Sequence, residues 1–167
     1  TSDIVLPSDY EPFSFSGELI GDNENELRII KVDIGEEDSL NGYGLFSIIT
    51  GSVKIKNIHI KGSVISGSGD RINYFGYAGG VAGVAESLTE GAIIENCINS
   101  ANISTVATYA GWGQGTAGIV GRDYSAKNKA KLTIKNCVTV LQSKQNRRKS
   151  TKNTGVTGVN QSFNSKL

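Results

Sequence analysis

The feature that most constrains this chain is an internal repeat of about 37 residues, a period typical of stacked repeat architectures. A tetrapeptide that opens with glycine occurs four times, at spacings of 36, 38 and 37 residues. The copies are Gly44-Leu-Phe-Ser47, Gly80-Val-Ala-Gly83, Gly118-Ile-Val-Gly121 and Gly155-Val-Thr-Gly158. The first three are each followed by a second motif: Ile55-Lys-Asn-Ile58, Ile94-Glu-Asn-Cys97 and Ile134-Lys-Asn-Cys137. Two motifs that recur in one order indicate a single structural unit repeated along the chain.

The local pattern within a repeat is that of short strands. Apolar and polar residues alternate over 53–55, Asn57 interrupts the alternation, and it resumes over 58–60. Helical repeats need long amphipathic runs, which are missing, and a propeller needs more blades than four units supply. We therefore predict an all-β fold, a right-handed parallel β-helix (a solenoid) of about 4–5 coils with loop inserts.

Equivalent residues of successive coils are expected to stack into ladders about 4.8 Å apart. Apolar ladders point inward, alternating charges suit the surface, and asparagine suits a bend because it tolerates unusual backbone angles and can bond its own copy. The predicted ladders are Ile55, Ile94 and Ile134; Ile58, Cys97 and Cys137; Asn57, Asn96 and Asn136; and Lys56, Glu95 and Lys135. We interpret the two cysteines as small buried thiols that fill their ladder, with a disulfide as the alternative.

The chain has 167 residues, which is enough for one domain with its own core. We divide the single domain 1–167 into an acidic starting coil (1–40), regular repeats (41–143) and a basic, incomplete final coil (144–167). Methionine is absent, so we expect a fragment of a larger protein.

Charge changes along the sequence. Residues 1–40 have a balance of −9, residues 41–121 are neutral, and residues 122–167 have a balance of +10. Sequence order follows the axis of a solenoid, so one end of the molecule is expected to be acidic and the other basic. Opposite charges at opposite strand edges lead us to hypothesise head-to-tail self-association, or docking to neighbouring domains.

Other features exclude several classes of partner. No apolar run of about 18 residues occurs, so membrane insertion is not expected. The basic tract of the final coil lacks the interleaved aromatic residues typical of nucleic-acid binding, so we expect a solvated loop there. That tract consists of Lys144, Arg147, Arg148, Lys149 and Lys152.

Aromatic residues cluster in the inserts that precede the repeated glycines. The hypothesis for a ligand-binding surface comprises Tyr74, Phe75, Tyr77, Tyr109, Trp112 and Gln114. Because they share one place in the repeat, these residues should project from one edge of the solenoid, where exposed aromatic rings suit sugar faces or a protein partner. The alternative is that they pack as a lid on the coil beneath.

Residues for catalysis or metal binding are sparse. His59, the single histidine, lies between two isoleucines of a strand pattern and should face solvent, with no partner visible in the sequence. The segment 22–26 (Asp-Asn-Glu-Asn-Glu) has acids at alternate positions, as a calcium loop does, but Leu27 and Asp33 replace its expected glycine and closing glutamate. We read it as a solvated turn, keep calcium as the alternative, and expect no cofactor.

The two repeated motifs, together with the turn Phe15-Ser-Gly17-Glu-Leu-Ile-Gly21-Asp-Asn23, resemble the GLUG-type repeats of bacterial surface proteins. Such repeats occur in large secreted or wall-anchored proteins, including non-catalytic regions of IgA-cleaving metallopeptidases. The resemblance covers roughly residues 13–160. It implies a right-handed parallel β-helix at a bacterial cell surface, and it carries no catalytic residues.

We therefore expect a non-catalytic structural or adhesive module of a bacterial surface or secreted protein, with a protein or a glycan at a cell surface as its partner. One alternative is a carbohydrate-binding module that uses the aromatic inserts. A second is a polysaccharide-active enzyme, which requires paired carboxylates. The acids of the middle coils do not form such a pair in the sequence pattern. They are Asp70, Glu86, Glu90 and Glu95.

Overall fold

The computed structural model describes residues 3–34, 42–66, 76–105, 115–124 and 132–140. Every element in these ranges is a β-strand, which confirms the all-β class predicted from the sequence. In this part of the chain no helix is long and apolar enough to cross a membrane. Several sequence-based predictions fall on residues outside the described ranges: Tyr74, Phe75, Tyr109, Trp112, Gln114 and the final coil 144–167.

The strands form four sheets. Sheet 1 contains β2 (Ser14–Phe15), β6 (Phe46–Gly51), β10 (Ala82–Leu88) and β15 (Val120–Asp123). Sheet 2 contains β3 (Glu18–Ile20), β7 (Lys54–Lys56), β11 (Ile93–Glu95) and β16 (Thr133–Lys135). Sheet 3 contains β1 (Ile4–Val5), β4 (Arg28–Ile34), β8 (Ile58–Ser66), β12 (Ile98–Asn99) and β17 (Val138–Thr139), and β13 (Asn102–Thr105) also pairs with β8. Sheet 4 contains β5 (Gly42–Tyr43), β9 (Tyr77–Gly79) and β14 (Gly115–Ala117).

From β2 onward the chain visits these sheets in a fixed order, from sheet 1 through sheets 2 and 3 to sheet 4, and then returns to sheet 1. Every strand pairing among the described residues is parallel. Most pairings join a strand to its equivalent one repeat away, so the sequence period of about 37 residues is also the period of strand pairing.

Sheet 2 contributes an apolar column to the core. Ile55 pairs with Leu19 on one side and with Ile94 on the other, and Ile94 pairs with Ile134. Ile55 and Ile94 are fully buried, whereas Leu19 and Ile134, at the two ends of the column, are half-buried. The inward isoleucines therefore stack in register, and burial declines toward the ends because the terminal strands pair on one side only within the described residues.

Glycines allow sheet 4 to lie close to sheet 1. A Cβ atom at Gly83 would overlap backbone atoms of Gly42 and Tyr43, and a Cβ at Gly121 would lie 2.8 Å from the backbone nitrogen of Ala78 in β9. The last glycine of the repeated tetrapeptide is therefore needed for close approach of the two sheets. Ser47 takes this position in the first copy, where no described strand of sheet 4 lies beneath it.

Candidate functional site: a polar cleft beside an asparagine ladder

Three asparagines turn the chain at the corner between sheets 2 and 3. Asn57, Asn96 and Asn136 have φ angles of 58°, 54° and 53°, in the left-handed region that asparagine tolerates better than most residues. The Nδ2 of Asn96 donates to the Oδ1 of Asn57 at 2.9 Å, and the Nδ2 of Asn57 donates to the carbonyl oxygen of Gly21 at 3.3 Å. The corner is therefore lined by a ladder of side-chain amides.

A loop formed by residues 22–26 lies across this ladder. The Nδ2 of Asn96 donates to the carbonyl oxygen of Glu24 at 2.9 Å, and Arg28 forms an ion pair with Asp22. These contacts hold the loop against the asparagine ladder. Within the described ranges, no group of three or more His, Cys, Asp or Glu side chains is placed to hold a metal ion.

An open cleft of about 430 Å³ lies between the loop and the ladder. Its lining consists of Glu24, Asn25, Lys56, Asn57, Glu95, Asn96 and Asn136. We name this the polar cleft. Four side-chain amides and three charged side chains give it many hydrogen-bond donors and acceptors, and no aromatic ring is among its lining residues.

The charges in the polar cleft compensate one another. The Glu95 carboxylate forms ion pairs with Lys56 and Lys135, and each lysine Nζ lies 2.8 Å from a carboxylate oxygen. Hydrogen bonds from Lys135 and Lys56 hold the pKa of Glu95 down at about 2, and the same contact with Glu95 raises the pKa of Lys135. Glu95 is therefore anionic at neutral pH, and the two carboxylates of the lining, Glu24 and Glu95, are opposed by Lys56 of the lining and by Lys135, which contacts Glu95 from outside it. Such a site favours a polar ligand without a large net charge.

His59 makes a contact that the sequence analysis did not anticipate. It is half-buried, and its Nε2 lies 2.7 Å from the Oγ of Ser100, a residue of the next coil. Desolvation, followed by the charge of Lys61, lowers the pKa of His59 below its usual value. The Ser100 hydroxyl also contacts the carbonyl oxygen of Ile60 at 3.4 Å. His59 lies on the outer side of its strand between buried Ile58 and Ile60, as the alternation predicts, and stacking places beside it a hydroxyl that the sequence pattern did not reveal.

Tyr77 is the one residue of the aromatic hypothesis that lies in the described part of the chain, and it does not project into solvent. Its side chain is 2% exposed, and its hydroxyl lies 3.2 Å from that of Tyr124. The guanidinium of Arg122 lies 5.5 Å from the Tyr77 ring centre and 4.9 Å from that of Tyr124. Burial raises the pKa of Tyr77. The prediction that Tyr77 projects from an edge of the molecule is therefore wrong. Tyr77 begins strand β9 and its ring is buried, so the ring does not form an exposed binding surface.

The two cysteines lie in neighbouring repeats, directly before the paired strands β12 and β17. The residues that follow them, Ile98 and Val138, are paired in sheet 3, and both cysteines are free thiols. Cys97 is fully buried and Cys137 is half-buried. The adjacent Cys137 thiol, together with burial, raises the pKa of Cys97. That these thiols fill the ladder stays a prediction, with Cys97 the more deeply buried of the two.

The sequence indicated the asparagine ladder but not the polar cleft beside it. The repeat signal identifies positions that stack on their copies, whereas Glu24 and Asn25 belong to a loop outside the repeated motifs. No protein-family model, curated protein or solved structure matches this chain. Its function is therefore inferred from its own geometry.

Proposed function

We propose that this chain is a right-handed parallel β-solenoid of GLUG-type repeats, and that it serves as a non-catalytic structural or adhesive module of a bacterial surface or secreted protein. One observation carries the proposal: the chain passes through four parallel sheets in a fixed order, and its strands pair with their equivalents one repeat away. A solenoid explains that order directly, because each coil adds one strand to each sheet. Right-handedness follows from the strong preference of crossovers between parallel strands.

The chemistry of the described carboxylates supports a non-catalytic role. Sugar cleavage by a pair of carboxylates requires one of them to be protonated as a general acid. Glu95, the acid best held in the polar cleft, has a pKa of about 2 because of Lys56 and Lys135. It is therefore unsuited to donate a proton at neutral pH, and binding is the better proposal for this surface.

An adhesion assay under flow tests this proposal. The chain would be displayed on a non-adherent bacterium, and retention under flow would be measured on epithelial cells and on a surface coated with extracellular-matrix protein. We expect more retention than for a display of Gly83→Ala, a variant whose fold we expect to be strongly destabilised because its Cβ would overlap backbone atoms of Gly42 and Tyr43. Equal retention of the two would contradict an adhesive role.

A second candidate function is carbohydrate binding, and the polar cleft favours it. Its four asparagine side chains and its compensated charges match a neutral, hydroxyl-rich ligand. We therefore propose the asparagine ladder as the site of this second function; of the residues in the aromatic hypothesis, the described Tyr77 is buried.

Binding to a glycan array tests this second candidate function. The chain should bind neutral oligosaccharides, and Asn25→Ala and Asn136→Ala should each reduce binding, because both residues are exposed and line the polar cleft. Thr89→Ala, at an exposed position outside the cleft, is the matched control. Binding that survives both cleft substitutions would place the glycan elsewhere.

A further inference from the structure

Both cysteines of the chain lie at the corner between sheets 2 and 3, in register with each other. Cys97 and Cys137 are flanked on both sides by paired residues of the same two repeats: Glu95 with Lys135, and Ile98 with Val138. Neighbouring strands lie about 4.8 Å apart, inside the range of about 4.4–6.8 Å between the Cα atoms of a disulfide. The backbone therefore holds the two cysteines at a spacing that a disulfide allows.

The two thiols also point the same way along the stack. The Sγ of Cys97 lies 3.7 Å from the carbonyl oxygen of Ile55, and the Sγ of Cys137 lies 3.6 Å from that of Ile94. Each of these isoleucines belongs to the repeat before the cysteine, so each thiol faces the preceding repeat. For Cys137 the preceding repeat is the one that contains Cys97, and the two thiols are hydrogen-bonded to each other.

The two cysteines differ in burial and in acidity. Cys97 is fully buried, whereas Cys137 is half-buried. The hydrogen bond between the thiols lowers the pKa of Cys137, and with burial it raises the pKa of Cys97. The thiolate is the form of cysteine that reacts. Cys137 is therefore the thiol that an oxidant attacks first, and Cys97 lies beside it as the second thiol of a pair.

Joining the two sulfurs leaves neighbouring carbonyls satisfied. Each Sγ lies 3.3 Å from the carbonyl oxygen two residues earlier, that of Glu95 or Lys135. Both oxygens also accept a backbone N–H of an adjacent repeat, from Asn57 at 3.2 Å and from Asn96 at 3.0 Å. When the S–H donors are lost, these two acceptors keep a partner, so oxidation creates no unpaired carbonyl at either position.

We propose that Cys97 and Cys137 form an oxidation site, at which a peroxide joins them in a disulfide that ties one repeat to the next. The Cys137 thiolate attacks a peroxide oxygen, the O–O bond breaks, and the departing hydroxide leaves as water with the Cys137 proton. The resulting sulfenic acid is attacked by the Cys97 sulfur. The S–O bond breaks, and the second hydroxide leaves as water with the Cys97 proton. Two thiols and one hydrogen peroxide thus give one disulfide and two waters.

The disulfide would act on stability, independently of the adhesive role proposed above. It closes a loop of about 40 residues, which restricts the unfolded chain. We expect oxidation to raise the midpoint of thermal unfolding by about 5–10 °C, and dithiothreitol to reverse the shift.

Mass spectrometry of the full chain tests the proposal. The folded chain is treated with hydrogen peroxide, then denatured and alkylated with iodoacetamide. It should lose two hydrogen atoms, take up no alkyl group and stay monomeric, and dithiothreitol should restore two alkylatable thiols. In urea that unfolds the chain, the disulfide should form about tenfold more slowly, because the fold no longer holds the thiols together.

Cys97→Ser and Cys137→Ser are the matched variants, with circular dichroism to check that each keeps its strands. With Cys97→Ser, peroxide should leave a sulfenic acid on Cys137 that dimedone traps, and the midpoint of unfolding should not rise. Two alkylatable thiols in the peroxide-treated unsubstituted chain would overturn the proposal. So would a disulfide between two chains, or one that forms as fast in urea as in the fold.

Discussion

At the scale of single residues, asparagine side chains mark the same turn of the chain in each of three repeats. Asn57, Asn96 and Asn136 turn the backbone at one corner with φ angles that most residues avoid. The amide of Asn96 also joins two structures, because it donates both to Asn57 and to the backbone of the 22–26 loop. Asn96 therefore contributes to the backbone turn between sheets 2 and 3 and also binds the 22–26 loop, which forms one wall of the polar cleft.

The first prediction separates these two roles of Asn96. Asn96→Ala should destabilise the fold by about 2–3 kcal/mol, since alanine loses the amide hydrogen bonds and resists the left-handed backbone. Asn96→Gly should cost about half as much, because glycine adopts that backbone freely. Urea denaturation of the two variants measures the difference. Equal losses would show that backbone conformation contributes nothing at this corner.

The second prediction concerns the pH dependence set by His59. Desolvation and Lys61 lower its pKa in the fold, so the fold favours the neutral ring. Its contribution to stability should be complete above the unfolded pKa of about 6.5, and it should be lost as pH falls from there through the folded pKa. Because His59 is the single histidine, its ring signals in an NMR titration report that pKa directly.

Lys61→Gln is the companion variant for this titration. Removing the lysine charge should raise the pKa of His59 partway toward its usual value, because desolvation remains. A pKa at or above about 6.5 in the unsubstituted chain would contradict the burial of the ring.

At the scale of strands and sheets, small residues decide how closely two layers approach. Gly83 of β10 lies against the backbone of β5, and Gly121 of β15 lies against that of β9. The two contacts repeat one coil apart, so the tetrapeptide marks the place where sheets 1 and 4 meet. Side chains elsewhere in the core fill space, whereas here the absence of a side chain is what the packing requires.

The third prediction tests this packing. Gly83→Ala should destabilise the fold by about 3 kcal/mol or more, because its Cβ would overlap backbone atoms of Gly42 and Tyr43, which cannot rotate away. Gly17→Ala is the control: its Cβ would lie 3.3 Å from the ring of Phe15, a side chain that can shift, and the cost should be about 1 kcal/mol or less. Thermal unfolding followed by circular dichroism compares them.

Sequence patterns predicted the parts of the molecule that repeat. Equal spacing forces equivalent residues into register, which is why the column of Ile55 and Ile94 and the turn at Asn96 could be predicted. The contact between Asn96 and Glu24 joins residues 72 positions apart, and no period encodes it. The prediction of an exposed Tyr77 was wrong because the sequence around an aromatic residue in an exposed insert looks the same as the sequence around one that begins a buried strand.

At the scale of the whole molecule, stability should vary along the axis. A strand with a partner on each side is protected by two sets of hydrogen bonds, whereas a terminal strand has one. The fourth prediction is that amides of β7 and β11 exchange with deuterium more slowly than those of β3 and β16, the outer strands of sheet 2 within the described part of the chain. Hydrogen-exchange mass spectrometry measures this directly, and uniform protection across sheet 2 would contradict it.

The parallel pairing of each repeat with the one before it also bears on how the molecule is made. Each new repeat needs only the previous repeat as its template, so folding can proceed from the first repeats toward the C-terminus while the chain is still being synthesised. A repeat that has paired with its predecessor then offers its own strand edges to the repeat that follows.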